Sequence, residues 1–192
     1  MFDQALHAAT NRIDAHIRLL PSEDRPLRHL TSVHLHIGAT QVPARGAILD
    51  RERLAPGEKA FGQLLLERHL GALHGDWFVL RDSAARRTMG GGIVVDPGPR
   101  KRGRRRPERL VAIAALTEAD PQQALLSHFS GDPGWVDLDR FALARVLAAR
   151  VAVALWRPMN FRLSKPAALR SALVGPNGKR WHCDRGGLGG LS

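Results

Sequence analysis

Apolar and polar residues alternate along the first half of the chain. Within residues 12–20, Ile13, Ala15, Ile17 and Leu19 fall on one side and Arg12, Asp14, His16 and Arg18 on the other. That period of two predicts a half-buried β-strand. A polar loop over residues 21–26 leads to a second alternating run, residues 31–37, after which Gly38 permits a sharp bend. Residues 42–49 predict a further strand, and residues 50–58 a turn-rich polar connection. Residues 60–67 form an apolar run that fits a strand or a helical turn. Trp77, Phe78, Val79 and Leu80 read as a short buried strand, and residues 92–95 close the set. Six short strands with turns between them predict a small closed antiparallel barrel over residues 12–97, behind a lead-in of residues 1–11. Closure removes exposed strand edges.

The pattern changes after Pro97. Residues 98–107 combine prolines with Arg100, Lys101, Arg102, Arg104, Arg105 and Arg106, a charge density foreign to a buried strand, and predict a basic linker. From Pro107 the period is helical. Leu110, Ile113, Ala114 and Leu116 recur at helical spacing, and a proline suits the first turn. Asp120 before Pro121 signals the cap of a second helix reaching Phe129, broken by Gly131, Pro133 and Gly134. Asp137 or Asp139 would cap a third helix carrying Phe141, Ala144, Arg145, Leu147 and Ala148 and reaching Leu155, before Pro158. The expected organisation is α+β by segments: barrel, linker, a small helical segment over residues 108–157, and a tail over residues 158–192. In the tail, residues 166–169 suit a short helix. The Gly-rich stretch from Gly175 has no apolar period and predicts disorder.

Charge narrows the partners. Lys and Arg number 29 against 18 Asp and Glu, a formal net charge of +11. Such an excess favours polyanions, nucleic acid ahead of anionic membrane. No apolar run reaches the ~18 residues of a membrane span, and the N-terminus lacks a basic-then-apolar signal pattern. With Cys183 as its single cysteine, the chain is expected to work in the reducing cytosol, away from membranes. The linker arginines are either solvated or in contact with phosphates. Few aromatics interleave with them, which favours a duplex backbone read by charge and shape over stacked single-strand bases.

Other chemistry is thin. A phosphate-binding loop needs a hydroxyl after its Gly-Lys, and Gly178-Lys179 is followed by Arg180. Gly90-Gly91-Gly92 precedes a strand rather than a helix, so it reads as a bulge or tight bend of the barrel instead of a phosphate cradle. His34 and His36 share a strand face, with His16 opposite on a neighbouring strand. Without a carboxylate or cysteine in register, these three read as solvated or RNA-facing positions rather than zinc ligands. His182-Cys183-Asp184 places three ligand types on adjacent residues, which rarely converge on one metal, and no base is placed to activate Cys183. No catalytic residue and no metal site is assigned, and the chain by itself is expected not to be an enzyme.

Three stretches resemble the family of SelB, the selenocysteine-specific translation elongation factor, a relative of elongation factor Tu. Arg81-Asp82 through Thr88, then Gly90-Gly91-Gly92-Ile93-Val94-Val95-Asp96-Pro97, looks like the end of that family's third domain. Residues 33–45 are similar to an earlier hairpin of the same barrel, and residues 134–145 to the start of the C-terminal winged-helix region. The resemblance covers roughly residues 10–150, with matching order and spacing. It implies an elongation factor Tu domain III-like barrel followed by an incomplete winged-helix region. The family's factor carries selenocysteinyl-tRNA to the ribosome at UGA codons and binds a messenger-RNA hairpin through its winged helices. GTP and magnesium would belong to a GTPase domain that this chain lacks, making it a fragment: a split subunit or a truncated or frameshifted product. The RNA-contacting candidates are then Arg45, Arg81, Arg86 and Arg87 on the barrel, with Arg100, Lys101, Arg102, Arg104, Arg105 and Arg106 in the linker, facing the acceptor or T-stem backbone. A structural pairing of Arg81 with Asp82 is weighed equally. The alternative is a protein–protein module that docks on a separate GTPase subunit. A barrel parted from its neighbour is expected to expose an apolar patch.

Overall fold

The alternating runs become strands that curl into a closed sheet. The computed structural model describes residues 9–99, 106–131, 135–136, 141–142, 144–148, 151–152, 154, 162–163 and 181–182. Around the barrel the order is β1 (Thr10–Leu19), β6 (Lys59–Leu70), β4 (Thr40–Ile48), β3 (Thr31–Ile37), β7 (Trp77–Arg81) and β8 (Thr88–Asp96), which pairs back onto β1. All six pairings are antiparallel. The predicted strands are all present, and the ambiguous run at 60–67 is extended, as part of β6.

The inward rows fill the barrel. Ile13, Ile17, Leu19, Leu35, Leu64 and Leu80 are fully buried, each worth ~1.5–3 kcal/mol against exposure. Two further short strands are present, one between the polar loop and the second alternating run and one within the segment read as a connection. β2 (Leu27–Arg28) pairs with β5 (Arg53–Leu54), and their leucines join the core cluster. Alternation needs more than two residues to be legible, so these strands had no sequence signal.

The glycine triplet lies within β8, between β1 and β7. A Cβ on Gly90 or Gly92 would collide with the carbonyl oxygens of Arg18 and His16 respectively, and one on Gly91 would sit 2.5 Å from the Phe78 carbonyl oxygen. The residues are glycine because neighbouring backbone approaches closely. The register irregularities fall at the two ends of β8 instead, opposite Asp14/Ala15 and Leu80/Arg81. The expected bend is thus a close approach flanked by two bulges.

After the linker come α1 (Pro107–Ala115), with a proline in its first turn, and α2 (Pro121–Gly131). The Asp120 carboxylate accepts from the Gln123 backbone N–H at 3.1 Å, the predicted cap. The buried face of α1 is Arg109, Ala112, Ile113 and Ala115, while Ala114 is exposed. The stripe is therefore rotated from the one read in the sequence. Ile113, Leu116, Ala124, Leu125 and Phe141 form a second cluster with Leu49 and Val95, and Phe61 packs against it. The helices thereby cover the outer side of the β6–β1–β8 wall.

The predicted third helix is interrupted. Phe141, Ala142 and Ala144 are helical, Arg145 and Val146 turn, and Val146 has φ of 54°. A β-branched residue in that region ends a helix. Asp137, Asp139 and residues 166–169 lie outside the described residues. Within the tail read as disordered, β11 (Trp181–His182) pairs with β9 (Trp135–Val136) and β10 (Arg162–Leu163). Pairing partners more than 15 residues away leave no local pattern in a Gly-rich sequence.

Candidate nucleic-acid interface

The β7–β8 turn is held by side chains from four segments. Asp82 Oδ1 accepts from the backbone N–H of Arg86 at 2.7 Å and of Arg87 at 3.3 Å. The Asp82 carbonyl accepts from Ala85 N–H at 2.8 Å, and Ala85 sits at φ 54°. Arg81 Nη2 donates to the Arg86 carbonyl at 3.1 Å. From β3, His34 Nε2 donates to the Ser83 carbonyl at 3.2 Å, while His34 Nδ1 accepts from Gln41 Nε2 at 3.0 Å. A carbonyl oxygen only accepts, so these two bonds together set the tautomer with its proton on Nε2. Arg87 Nη1 donates to Glu23 Oε1 at 3.0 Å; the Glu23 side chain is 3% exposed and that of Arg87 50%. Desolvation pushes the Asp82 carboxyl up, but the two backbone N–H bonds and the charges of Arg87 and Arg86 outweigh it, leaving the group below its ordinary value.

Arg81 and Asp82 therefore do not pair with each other; both brace the turn. The Arg81 Nε is buried without a partner. Arg86 is exposed, and among the described residues no side chain or carbonyl accepts from its guanidinium. Arg45 is exposed on β4, opposite Ser32 of β3, on the same outer wall as His34 and Arg81. Four of the candidates thus gather at one end of the barrel. Arg106 is exposed next to α1, at the far end of β8. The nine residues of β8, at ~3.3 Å each, separate the two groups by up to about 30 Å. Arg100, Lys101, Arg102, Arg104 and Arg105 lie outside the described residues.

A further arginine was missed in the sequence. Arg109 on α1 is buried, and its Nη2 donates to Asp14 Oδ2 at 2.5 Å and to Asp96 Oδ2 at 3.3 Å. Gln63 Nε2 donates to the other Asp14 oxygen at 2.9 Å. Burial pushes the Asp14 carboxyl up. Arg109 pulls it down and Asp96 pushes it up again; with the Gln63 bond included, it lies at about 6. Burial also opposes the charge on Arg109, and the two carboxylates outweigh it, raising its pKa. One guanidinium shared by two carboxylates leaves a net negative charge in a dry site, which favours a proton on Asp14. The signal was present: Arg109, Ala112, Ile113 and Leu116 follow i, i+3, i+4, i+7, so Arg109 belongs to the buried stripe.

Other readings change with the topology. His16 lies on β1, whose neighbours are β6 and β8, so it does not stand opposite His34 and His36 on β3. It packs against Phe61 instead, with ring centroids 5.1 Å apart and the ring planes tilted by 33°. The glycine triplet offers no phosphate cradle. It faces backbone carbonyl oxygens, which repel anions, and lies within a strand. Gly178, Lys179, Cys183 and Asp184 lie outside the described residues, whereas His182 falls in β11. An apolar patch is present: Trp77 is 75% exposed beside exposed Val79, with Ile93 of β8 paired to Trp77. Among the described residues no helix is long and apolar enough to cross a membrane.

The family model for the β-barrel domain of the selenocysteine-specific elongation factor matches residues 14–101. The chain is also similar to the selenocysteine-specific elongation factor of Desulfomicrobium baculatum, 33% identical over 114 residues, and to that of Escherichia coli strain K12, 35% identical over 123 residues. The alignments take in 59% and 64% of this chain but 18% of each relative. Residues 14–101 take in most of the closed six-stranded barrel, including its glycine-rich final strand. Residues 14–101 are accordingly a β-barrel domain of the selenocysteine-specific elongation factor family.

Proposed function

We propose that this chain supplies an RNA-contacting barrel to selenocysteine-specific elongation, holding the backbone of selenocysteinyl-tRNA at its β7–β8 end. The observation that carries this reading is the exposed arginine at that end, Arg86, whose guanidinium has no hydrogen-bond acceptor among the described residues, with Arg45 on the adjoining wall. Phosphate contacts of this kind position a duplex without reading its sequence. The linker from Arg100 to Arg106 adds a second basic segment toward ribosome or messenger RNA. On this reading GTP and magnesium are bound by a GTPase domain outside these residues, the chain itself is not catalytic, and it works in the cytosol.

A mobility-shift titration with tRNA at two salt concentrations tests the reading. The expected result is binding at low salt that weakens steeply as salt rises, because neutralised phosphates release counterions. Absence of binding at low salt would sink it. A nucleotide titration of the same chain should show no uptake of GTP, and tight binding would overturn the division of labour. The exposed patch of Trp77 and Val79 favours a second role beside the first, docking on a GTPase-bearing partner. Trp77→Ala should weaken co-purification with such a partner while leaving tRNA binding intact.

A further inference from the structure

Three arginines in the turn region, Arg81, Arg86 and Arg87, look equivalent in the sequence, but the structure commits them differently. Arg87 gives one guanidinium nitrogen to a nearly buried carboxylate, so its charge is locally answered. Arg81 gives one nitrogen to the Arg86 carbonyl, and its Nε is enclosed. Arg86 offers its backbone N–H to Asp82 and its carbonyl to Arg81, while its guanidinium has no acceptor among the described residues. The backbones of Arg86 and Arg87 are both held from two sides, Arg87 through its N–H to the Asp82 carboxylate and its carbonyl to the Asp82 N–H, but only Arg86 has its side chain left over among the described residues.

We propose that Arg86 is the phosphate-contacting residue of this turn and that Arg81, Asp82, Arg87 and His34 are positioning residues acting through it. This deepens the RNA-contacting reading above and rests on it. The physics favours such a partition. A guanidinium presents a planar fork suited to two phosphate oxygens. Binding from a flexible turn would lose part of the interaction to ordering the backbone, and a turn braced in advance avoids that loss. His34 carries the brace from outside the turn: through Gln41 it links the β3–β4 hairpin to the Ser83 carbonyl. The Asp82 carboxylate attracts the neighbouring arginines by charge, but its hydrogen bonds go to backbone N–H groups, which leaves the Arg86 side chain unclaimed.

Two measurements on the full chain test the assignment. Labelling with an arginine-selective dicarbonyl, mapped by mass spectrometry without RNA, should modify Arg86 before Arg87 and Arg81, and added tRNA should protect Arg86. In a tRNA titration over a salt series, Arg86→Ala should weaken binding roughly two- to tenfold and lower the slope of log affinity against log salt by about one. Arg86→Lys should restore the slope but not the full affinity. Arg87→Ala should leave the slope unchanged. His34→Ala should weaken binding in the wild-type background and add nothing in the Arg86→Ala background, as expected of a residue that acts through Arg86. The proposal is overturned if Arg87 labels as fast as Arg86, or if wild type binds tRNA and Arg86→Ala leaves its slope unchanged. If wild type does not bind tRNA, the RNA reading fails and the contact role of Arg86 fails with it; labelling in the order given would then support the brace alone.

Discussion

Arg109 and Arg86 mark two regions that use the same side chain in opposite ways. Arg109 is buried between α1 and the barrel wall, shared by two carboxylates, and its loss would strand a charge in the interior. Arg86 stands in solvent on a turn whose polar groups are occupied with one another. The first fastens the helical segment to the barrel. The second is free to meet a ligand. A basic residue is available for recognition only if the fold has not already used its charge, so a count of arginines overstates the interface.

The sharpest way to break this comparison is Arg109→Ala. Removing one partner of a buried ion pair costs about 3–5 kcal/mol, whereas Arg86→Ala on the surface should change stability by about 0.5 kcal/mol or less. Urea unfolding of both variants checks this, with hydrogen exchange expected to show lost protection in α1. Similar midpoints would erase the distinction. Next in size is Gly92→Ala, which drives a methyl group into the His16 carbonyl and should cost about 2–3 kcal/mol in the same assay. Arg87→Ala should fall lower, at about 1–2 kcal/mol. It leaves Glu23 buried and unpaired, but half of the arginine is already screened by water. Thermal denaturation should show that loss, together with faster exchange in the turn.

The pH response carries the comparison further, because its sign differs between the two regions. Asp14 is raised to about 6, so its contribution is fully present below its ordinary value of 3.8 and is lost as pH rises through about 6. Asp82 is lowered, so its contribution is present above the ordinary value and is lost as pH falls through its depressed pKa. His74, on the helix-covered side, opposes Asp14. Burial lowers it and outweighs the bond to the Val95 carbonyl, which favours the charged ring, so its contribution fades as pH falls below about 6.5. The useful quantity is therefore the stability difference between wild type and Asp14→Asn. That difference should shift toward wild type as pH is lowered from 7 to 4. A flat difference would mean that Asp14 is ionised throughout.

Much of the barrel was legible because its signals are local. A residue's neighbour two positions away shares its side of the strand, so Ile13, Ala15, Ile17 and Leu19 announce the inside without knowledge of any partner. The candidate site was legible only as a set of charges. Asp14 stood in the outward row of β1 and looked solvated; a helix that begins 93 residues later covers it. Arg81 and Arg87 looked as available as Arg86, and their acceptors lie five and 64 residues away in the chain. His16 was set beside the wrong strand because alternation gives a strand's face but not its neighbour in the sheet.

By itself the sequence determined the strand and helix periods, the excess of positive charge and the resemblance that the comparisons uphold for residues 14–101. Only the tertiary structure decided the strand order, the docking of α1 through Arg109 and the arginine that remains unclaimed. The physical reason is range. Backbone conformation and side-chain facing are set by residues a few positions apart, while the worth of a charge is set by whatever the fold brings within ~4 Å of it.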